Sequence, residues 1–322
     1  MQGLVDVLRF LFVGALSLGV AVALDRMTAV RGLLPPGFRV PWRRALAIAL
    51  VALFLMIGVF SPLGTLGLKA ERAPTEIAKP QLFVLHILMV ITMGSWFLLG
   101  FAGHAAQPPA PAVPLPEPVL LPETGEPSPL DAPAAVAPPP PPPRVSLGRQ
   151  LAAQFGYLAP SIPREIGLGL LLGTGAWAAV ILALLVIAGV IYATGGEKLL
   201  PQSPPAMIPL IAGLPVWTRL LVSLSAGMVE ESFFRGFLQP RVGIALSTAC
   251  FALAHLSYGS PFLLVGVTLL SLIYAFLVKW RQNLWPAMAA HALFDGVQLL
   301  VIVPLALRAL GEGKAAALLF LW

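Results

Sequence analysis

Residues 166–194 read IGLGLLLGTGAWAAVILALLVIAGVIYAT, with no formally charged position among them. A hydrocarbon layer about 30 Å thick is crossed by roughly 20 helical residues, so this stretch can span a membrane with length to spare. Comparable apolar runs occupy residues 4–24, 45–66, 82–102, 217–238, 242–256, 262–278 and 284–307. Lipid offers no hydrogen-bond partner to an open backbone, so runs of this length span as helices. The expected fold class is all-α: a polytopic transmembrane helical bundle of about eight spans.

Composition and charge agree with that reading. Of 322 residues, 58% are hydrophobic and 11% charged, against roughly 25% charged in an ordinary soluble domain. The net charge of +6 does not indicate nucleic acid as a partner, because the basic residues cluster between apolar runs and form no stripe with interleaved aromatics. The densest cluster, Arg26, Arg31, Arg39, Arg43 and Arg44, follows the first run. The positive-inside rule puts that loop in the cytoplasm, and the nearly neutral loop holding Lys69, Glu71, Arg72, Glu76 and Lys79 fits the opposite side. Asp25 and Arg26, rather than a small-residue cleavage site, follow the first run, which therefore reads as an uncleaved span. The lone Cys250 leaves no intramolecular disulfide and no multi-cysteine metal cluster. The partner implied throughout is the lipid bilayer, and the Ala-, Pro- and Arg-rich composition points to a bacterial inner (plasma) membrane.

Four segments are expected. Residues 1–103 form an N-terminal module of three spans, and residues 104–143 form a linker. The linker is dominated by proline and alanine, and its six consecutive prolines, Pro138 to Pro143, favour a semi-rigid polyproline II spacer. Residues 144–165 begin with Leu147, Leu151, Phe155 and Leu158 at helical spacing, which predicts an amphipathic helix at the membrane interface. Residues 166–322 form the embedded core. No internal repeat of the kind seen in inverted-repeat transporters is found.

Ionisable groups inside spans cost about 2.5 to 3.5 kcal/mol each on insertion scales, so each needs a reason. The last four spans carry six: Glu230, Glu231 and Arg235 on one, His255 near the end of the next, and His291 with Asp295 on the last. At about 100° per residue, Glu231 and Arg235 share a helix face, while Glu230 lies about 140° from Arg235. Glu231 should therefore pair with the guanidinium. Glu230, desolvated and without an intrahelical cation, is placed to meet a water molecule. His291 and Asp295 repeat the one-turn spacing and face one cavity, and three helices converging on one polar centre is how bundle interiors build sites. A plain up-and-down topology nevertheless leaves His255 and His291 about 10 Å apart in depth. Shifted helix starts, tilt or a broken helix must close that gap.

Glu230-Glu231-Ser232-Phe233-Phe234-Arg235 matches an EExxxR signature, Phe251 to His255 matches FxxxH, and His291 to Asp295 matches HxxxN/D. In order and spacing the three resemble the CPBP family of intramembrane endopeptidases, which includes CAAX prenyl endopeptidases and bacterial Abi-type proteins. The resemblance covers residues 217–307. It implies hydrolysis of a peptide bond in a membrane-associated protein or peptide substrate. Glu230 and His255 would activate water, His291 and Asp295 would support the oxyanion, and Glu231 and Arg235 would be the supporting pair. Some members, the prenyl endopeptidases among them, carry Asn where this chain has Asp295. An ionised Asp cannot donate to an oxyanion, so Asp295 is expected to orient His291 instead.

Two other function classes use the same cluster: a proton- or ion-coupled transporter, and a non-proteolytic membrane scaffold or immunity factor. No cofactor is expected to be required. The alternative is zinc on Glu230, His255 and His291, but each imidazole comes from a separate helix, without the local His-Glu-x-x-His arrangement that fixes two ligands together. His86 and His104 fit none of the three motifs and read as packing or interfacial residues.

Overall fold

A computed structural model of the chain describes residues 2–65, 83–104, 145–196, 200, 207–256 and 261–311. Most of the proline linker, the loop from Lys69 to Lys79 and the C-terminal tail lie outside the described residues. Helices make up the regular structure of the described part, with no strand among them. We label them α1 (Gln2–Val30), α2 (Pro41–Phe54), α3 (Val84–Phe101), α4 (Leu147–Phe155), α5 (Ile162–Ala193), α6 (Val216–Ser225), α7 (Gln239–Ala254), α8 (Pro261–Arg281) and α9 (Trp285–Val297). Helix α6 continues without a break into α7 through the wider π-helical turns Ala226–Glu230 and Ser232–Leu238.

Seven helical stretches among the described residues are long and apolar enough to cross a membrane, so the chain is an all-α, multi-pass membrane bundle. One of them, Val216–Ala254, runs for 39 residues, about 58 Å as a straight helix and nearly twice the hydrocarbon thickness. It cannot stay straight inside a bilayer. It reverses at Gly243, whose φ of 82° and ψ of 175° leave the helical region for backbone that side chains with a Cβ rarely adopt. The two runs read from the sequence as residues 217–238 and 242–256 are the two arms of this hairpin. The returning arm packs on the outgoing one: Ser247 Oγ donates to the Phe234 carbonyl at 2.6 Å, and the Phe251 ring meets Phe234 edge-on at 4.9 Å.

Tight packing holds α5 and α6 on α9. Gly169 and Gly173, one turn apart on α5, face α9 so closely that a Cβ at Gly173 would lie 2.7 Å from Ala290 Cα, and one at Gly169 would collide with the Pro286 carbonyl. Small residues at four-residue spacing are the usual way helices approach in lipid, where no hydrophobic drive separates protein from solvent. At the far end of α8, Arg281 grips Glu165 of α5 through two hydrogen bonds of 2.9 and 2.5 Å. The opposite flank of α5, with Leu171, Leu182, Val186 and Val190, is exposed to the lipid side.

The first three spans are not held at a distance by the linker. One continuous apolar core runs from Val13 on α1 through Phe54 and Trp96 to Phe233, Phe237 and Phe251. Phe54 meets Phe233 at 4.5 Å and Trp96 meets Phe237 at 5.2 Å, both edge-on. Buried Arg241, at the hairpin bend, lies over the Trp96 and Phe237 rings at 4.4 and 4.3 Å and donates to the Phe237 carbonyl. Between linker and core, α4 starts at Ser146, whose hydroxyl accepts from the Arg149 amide, and ends at left-handed Gly156. It leaves Leu147 and Leu151 exposed and buries Phe155 against the core. Tyr157, just beyond it, makes a 2.6 Å hydrogen bond with Ser232. Ser232 gives its own proton to the Met228 carbonyl, so the Tyr157 hydroxyl is the donor. Burial pushes that phenol above its ordinary range, which keeps the donor protonated.

Candidate active site

Backbone geometry explains how residues from separate helices reach one level. From Glu230 to Gly243 the outgoing arm is about 20 Å long, and from Gly243 to His255 the returning arm is about 18 Å. His255 therefore comes back to the depth of Glu230 instead of crossing to the far side. The depth gap expected from an up-and-down topology is closed by the reversal of the chain at Gly243. Both imidazoles pack on one ring: Phe251 stacks on His255 at 4.5 Å and meets His291 edge-on at 6.0 Å.

Glycine brings the motif arm close to α9. A Cβ on Gly227 would lie 2.6 Å from the Met288 carbonyl and 2.8 Å from Ala292. With that approach, Glu231 crosses to α9 as well as pairing along its own helix. Its Oε1 lies 3.0 Å from Arg235 Nη1 and 2.8 Å from His291 Nδ1, and its side chain is fully buried. The expected Glu231–Arg235 pair is present. The Arg235 contact is an ion pair without hydrogen-bond alignment; the guanidinium's aligned donors go to the Ser271 carbonyl and hydroxyl at 3.2 and 3.0 Å. Its charge also lies over the Phe251 ring at 4.4 Å, an attraction that the burial of Arg235 strengthens.

The carboxylate that orients His291 is Glu231. Asp295 Oδ2 stands 3.7 Å from His291 Nε2, beyond hydrogen-bond reach. Asp295 is expected in that role because the resemblance places it beside the oxyanion and an ionised carboxylate cannot donate there; the interhelical approach at Gly227 supplies a nearer carboxylate. Arg235, Glu231, His291 and Asp295, in that order, thus form a chain of alternating charge when the imidazole is protonated. Tyr274 of α8 stacks on the other face of the centre, 5.2 Å from the His291 ring, and its buried hydroxyl has no hydrogen-bond partner among the described residues.

On His255, Nδ1 donates to the Phe251 carbonyl at 2.8 Å, which places the lone pair of a neutral ring on Nε2. Glu230 lies within electrostatic reach of His255 and His291. Its hydrogen-bond partner is not Arg235 but His86 of α3, whose Nε2 lies 3.2 Å from Glu230 Oε1. Nothing in the three motifs points to His86, which reads from the sequence as a packing or interfacial residue. The one available signal was that it is an ionisable group inside an apolar span. His104 stays at the end of α3, 3.3 Å from the Ala102 carbonyl, clear of the cluster.

Among the described residues no three of His, Cys, Asp and Glu are grouped to hold an ion. A small cavity lined by Asp25, Thr28, Trp96, Phe237 and Arg241 lies elsewhere and includes none of the six motif residues.

Residues 212–297 match the model of a known family, the type II CAAX prenyl endopeptidase Rce1-like family. The matched segment contains all six motif residues, and the family is the one that the EExxxR, FxxxH and HxxxN/D motifs resemble. The uncharacterized protein YpbD of Bacillus subtilis (strain 168) is 34% identical over 79 residues, or 24% of this chain and 42% of that protein. The match thus spans less than half the length of that relative. No solved structure matches the chain.

Proposed function

Taking residues 212–297 as an Rce1-like, type II CAAX prenyl endopeptidase segment, we propose that the chain is an intramembrane endopeptidase acting on a membrane-associated protein or peptide. The observation that carries this reading is the division of labour between adjacent carboxylates. Glu231 is fully buried, its Oε1 shared by Arg235 and His291, while Glu230 is 14% exposed and is held through Oε1 by His86, which leaves its Oε2 the more accessible of two carboxylate oxygens without a partner among the described residues.

In the proposed reaction, Glu230 takes a proton from a water molecule that His255 Nε2 helps to hold, and the hydroxide attacks the scissile carbonyl carbon. His291, protonated on both nitrogens and held by Glu231 at Nδ1, donates from Nε2 to the oxyanion. Asp295 balances that charge from 3.7 Å. Collapse of the tetrahedral intermediate breaks the carbon–nitrogen bond, and Glu230 returns its proton to the leaving amine. Base and electrophilic stabiliser are both protein groups, and no step is routed through a metal or other cofactor. The cluster sits among helices long and apolar enough to cross a membrane, which suits a peptide bond presented from within the bilayer. We place the protein in a bacterial inner membrane, a reading supported by its composition.

The test is a comparison of membrane-protein termini in cells carrying the wild type or Glu230→Ala at equal abundance. New C-termini that depend on Glu230 identify the substrate and whether it is lipidated. Identical sets of termini would contradict an endopeptidase role.

A further inference from the structure

We propose that His86, contributed by the N-terminal helices from outside the family-matched segment, is a positioning residue that fixes the proposed base Glu230. This rests on the function proposed above. His86 and Glu230 are 144 positions apart in sequence, yet His86 Nε2 lies 3.2 Å from Glu230 Oε1, with side chains only 13% and 14% exposed.

The proton arrangement follows from the surroundings. His86 Nδ1 is buried without a hydrogen-bond partner among the described residues. A charged imidazolium would bury an orphan N–H there, whereas a neutral ring protonated on Nε2 leaves only an acceptor unused, the less costly and more often tolerated case. The ring therefore donates from Nε2 to the carboxylate and has no lone pair directed at it. That excludes a second base and leaves the role of a fixed donor.

A fixed donor matters here because the terminal torsion of a glutamate is soft and roughly two-fold. With Oε1 held by His86, Oε2 is the oxygen left for water, and the base meets its substrate already oriented. The contact is not a loose touch between modules. Farther along α3, Trp96 packs on Phe237 and on the Arg241 guanidinium, so the helix is held against the motif arm over nearly three turns. The first three spans thus supply a group that the matched segment lacks.

The test uses the full chain in proteoliposomes with a fluorescence-quenched farnesylated CAAX peptide as probe. Its variants are His86→Phe, which keeps a ring and removes the donor, and His86→Gln, whose amide restores one. Loss of a hydrogen bond to a charged group predicts a fall in kcat of about 10- to 100-fold for His86→Phe. KM should change less than about twofold, and His86→Gln should recover most of the rate, a pattern that packing alone does not produce. Wild-type kcat in His86→Phe beside an inactive Glu230→Gln overturns the positioning role and leaves the proposed function standing. Measurable cleavage that is equal in wild type and Glu230→Gln overturns the function itself. In that case, or where the wild type leaves this probe intact, a second measurement decides the contact. His86→Cys with Glu230→Cys, in a Cys250→Ala background, is treated with a short bismaleimide and cut at a protease site introduced within residues 107–143. Fragments that stay joined support the contact, and fragments that separate overturn it.

Discussion

His291 Nδ1 lies 2.8 Å from Glu231 Oε1, which ties α9 to the motif arm through a carboxylate with no exposure to solvent or lipid. The same oxygen is 3.0 Å from Arg235, so one acid holds two cationic partners from two helices. Removing a single member of such a buried group leaves charge without compensation, at a cost of about 3–5 kcal/mol. Glu231→Gln should therefore lower the thermal stability of the purified protein in detergent as well as its activity. An unfolding midpoint equal to wild type would show that the group is not structural.

Gly227 sets the distance between that arm and α9. Its absent side chain leaves room for the Met288 carbonyl at 2.6 Å from where a Cβ would sit. Gly227→Val should push the arm away from α9, stretch the Glu231–His291 bond and cost more than tenfold in activity. Gly175, whose Cβ would meet open space, is the control: Gly175→Ala should leave activity and yield unchanged. Both are read from specific activity at matched expression.

Much of this centre was legible in the sequence because its evidence is local. The four-residue spacings of Glu231 with Arg235 and His291 with Asp295 follow from helix geometry alone, and apolar runs of span length announce the bundle. Contacts between helices were not legible. The hydrogen bond from His291 to Glu231 depends on the close approach at Gly227, which no periodicity reports. His86 is one histidine in an apolar span, 144 positions from its partner, and carries no spacing signal. The wider π-helical turns around Glu230 were likewise hidden, since nothing in the composition of Ala226 to Leu238 distinguishes them from a regular helix.

Among the described residues the side chains form no three-ligand set, and hydrolysis is expected to survive metal removal. Purified active protein should retain its rate after prolonged chelation and dialysis. One zinc per chain, with activity lost on removal and regained on adding zinc back, would reverse this reading.

Proline-rich spacers contribute reach rather than packing, and the N-terminal helices are held to the core by Trp96, Phe54 and Arg241 rather than by the linker. Deleting Pro138 to Pro143 should leave both stability and cleavage within about twofold of wild type. Loss of activity at normal abundance would show that those prolines act on the site or on a partner.

The central claim is that Glu230 is the base and Glu231 is not. Glu230→Gln keeps the shape of the side chain and can still meet His86, but it cannot accept a proton from water. In a reconstituted assay, purified Glu230→Gln at wild-type stability should therefore cleave at least a thousandfold more slowly than wild type, in line with loss of a general base. Cleavage by Glu230→Gln at the wild-type rate would contradict the account.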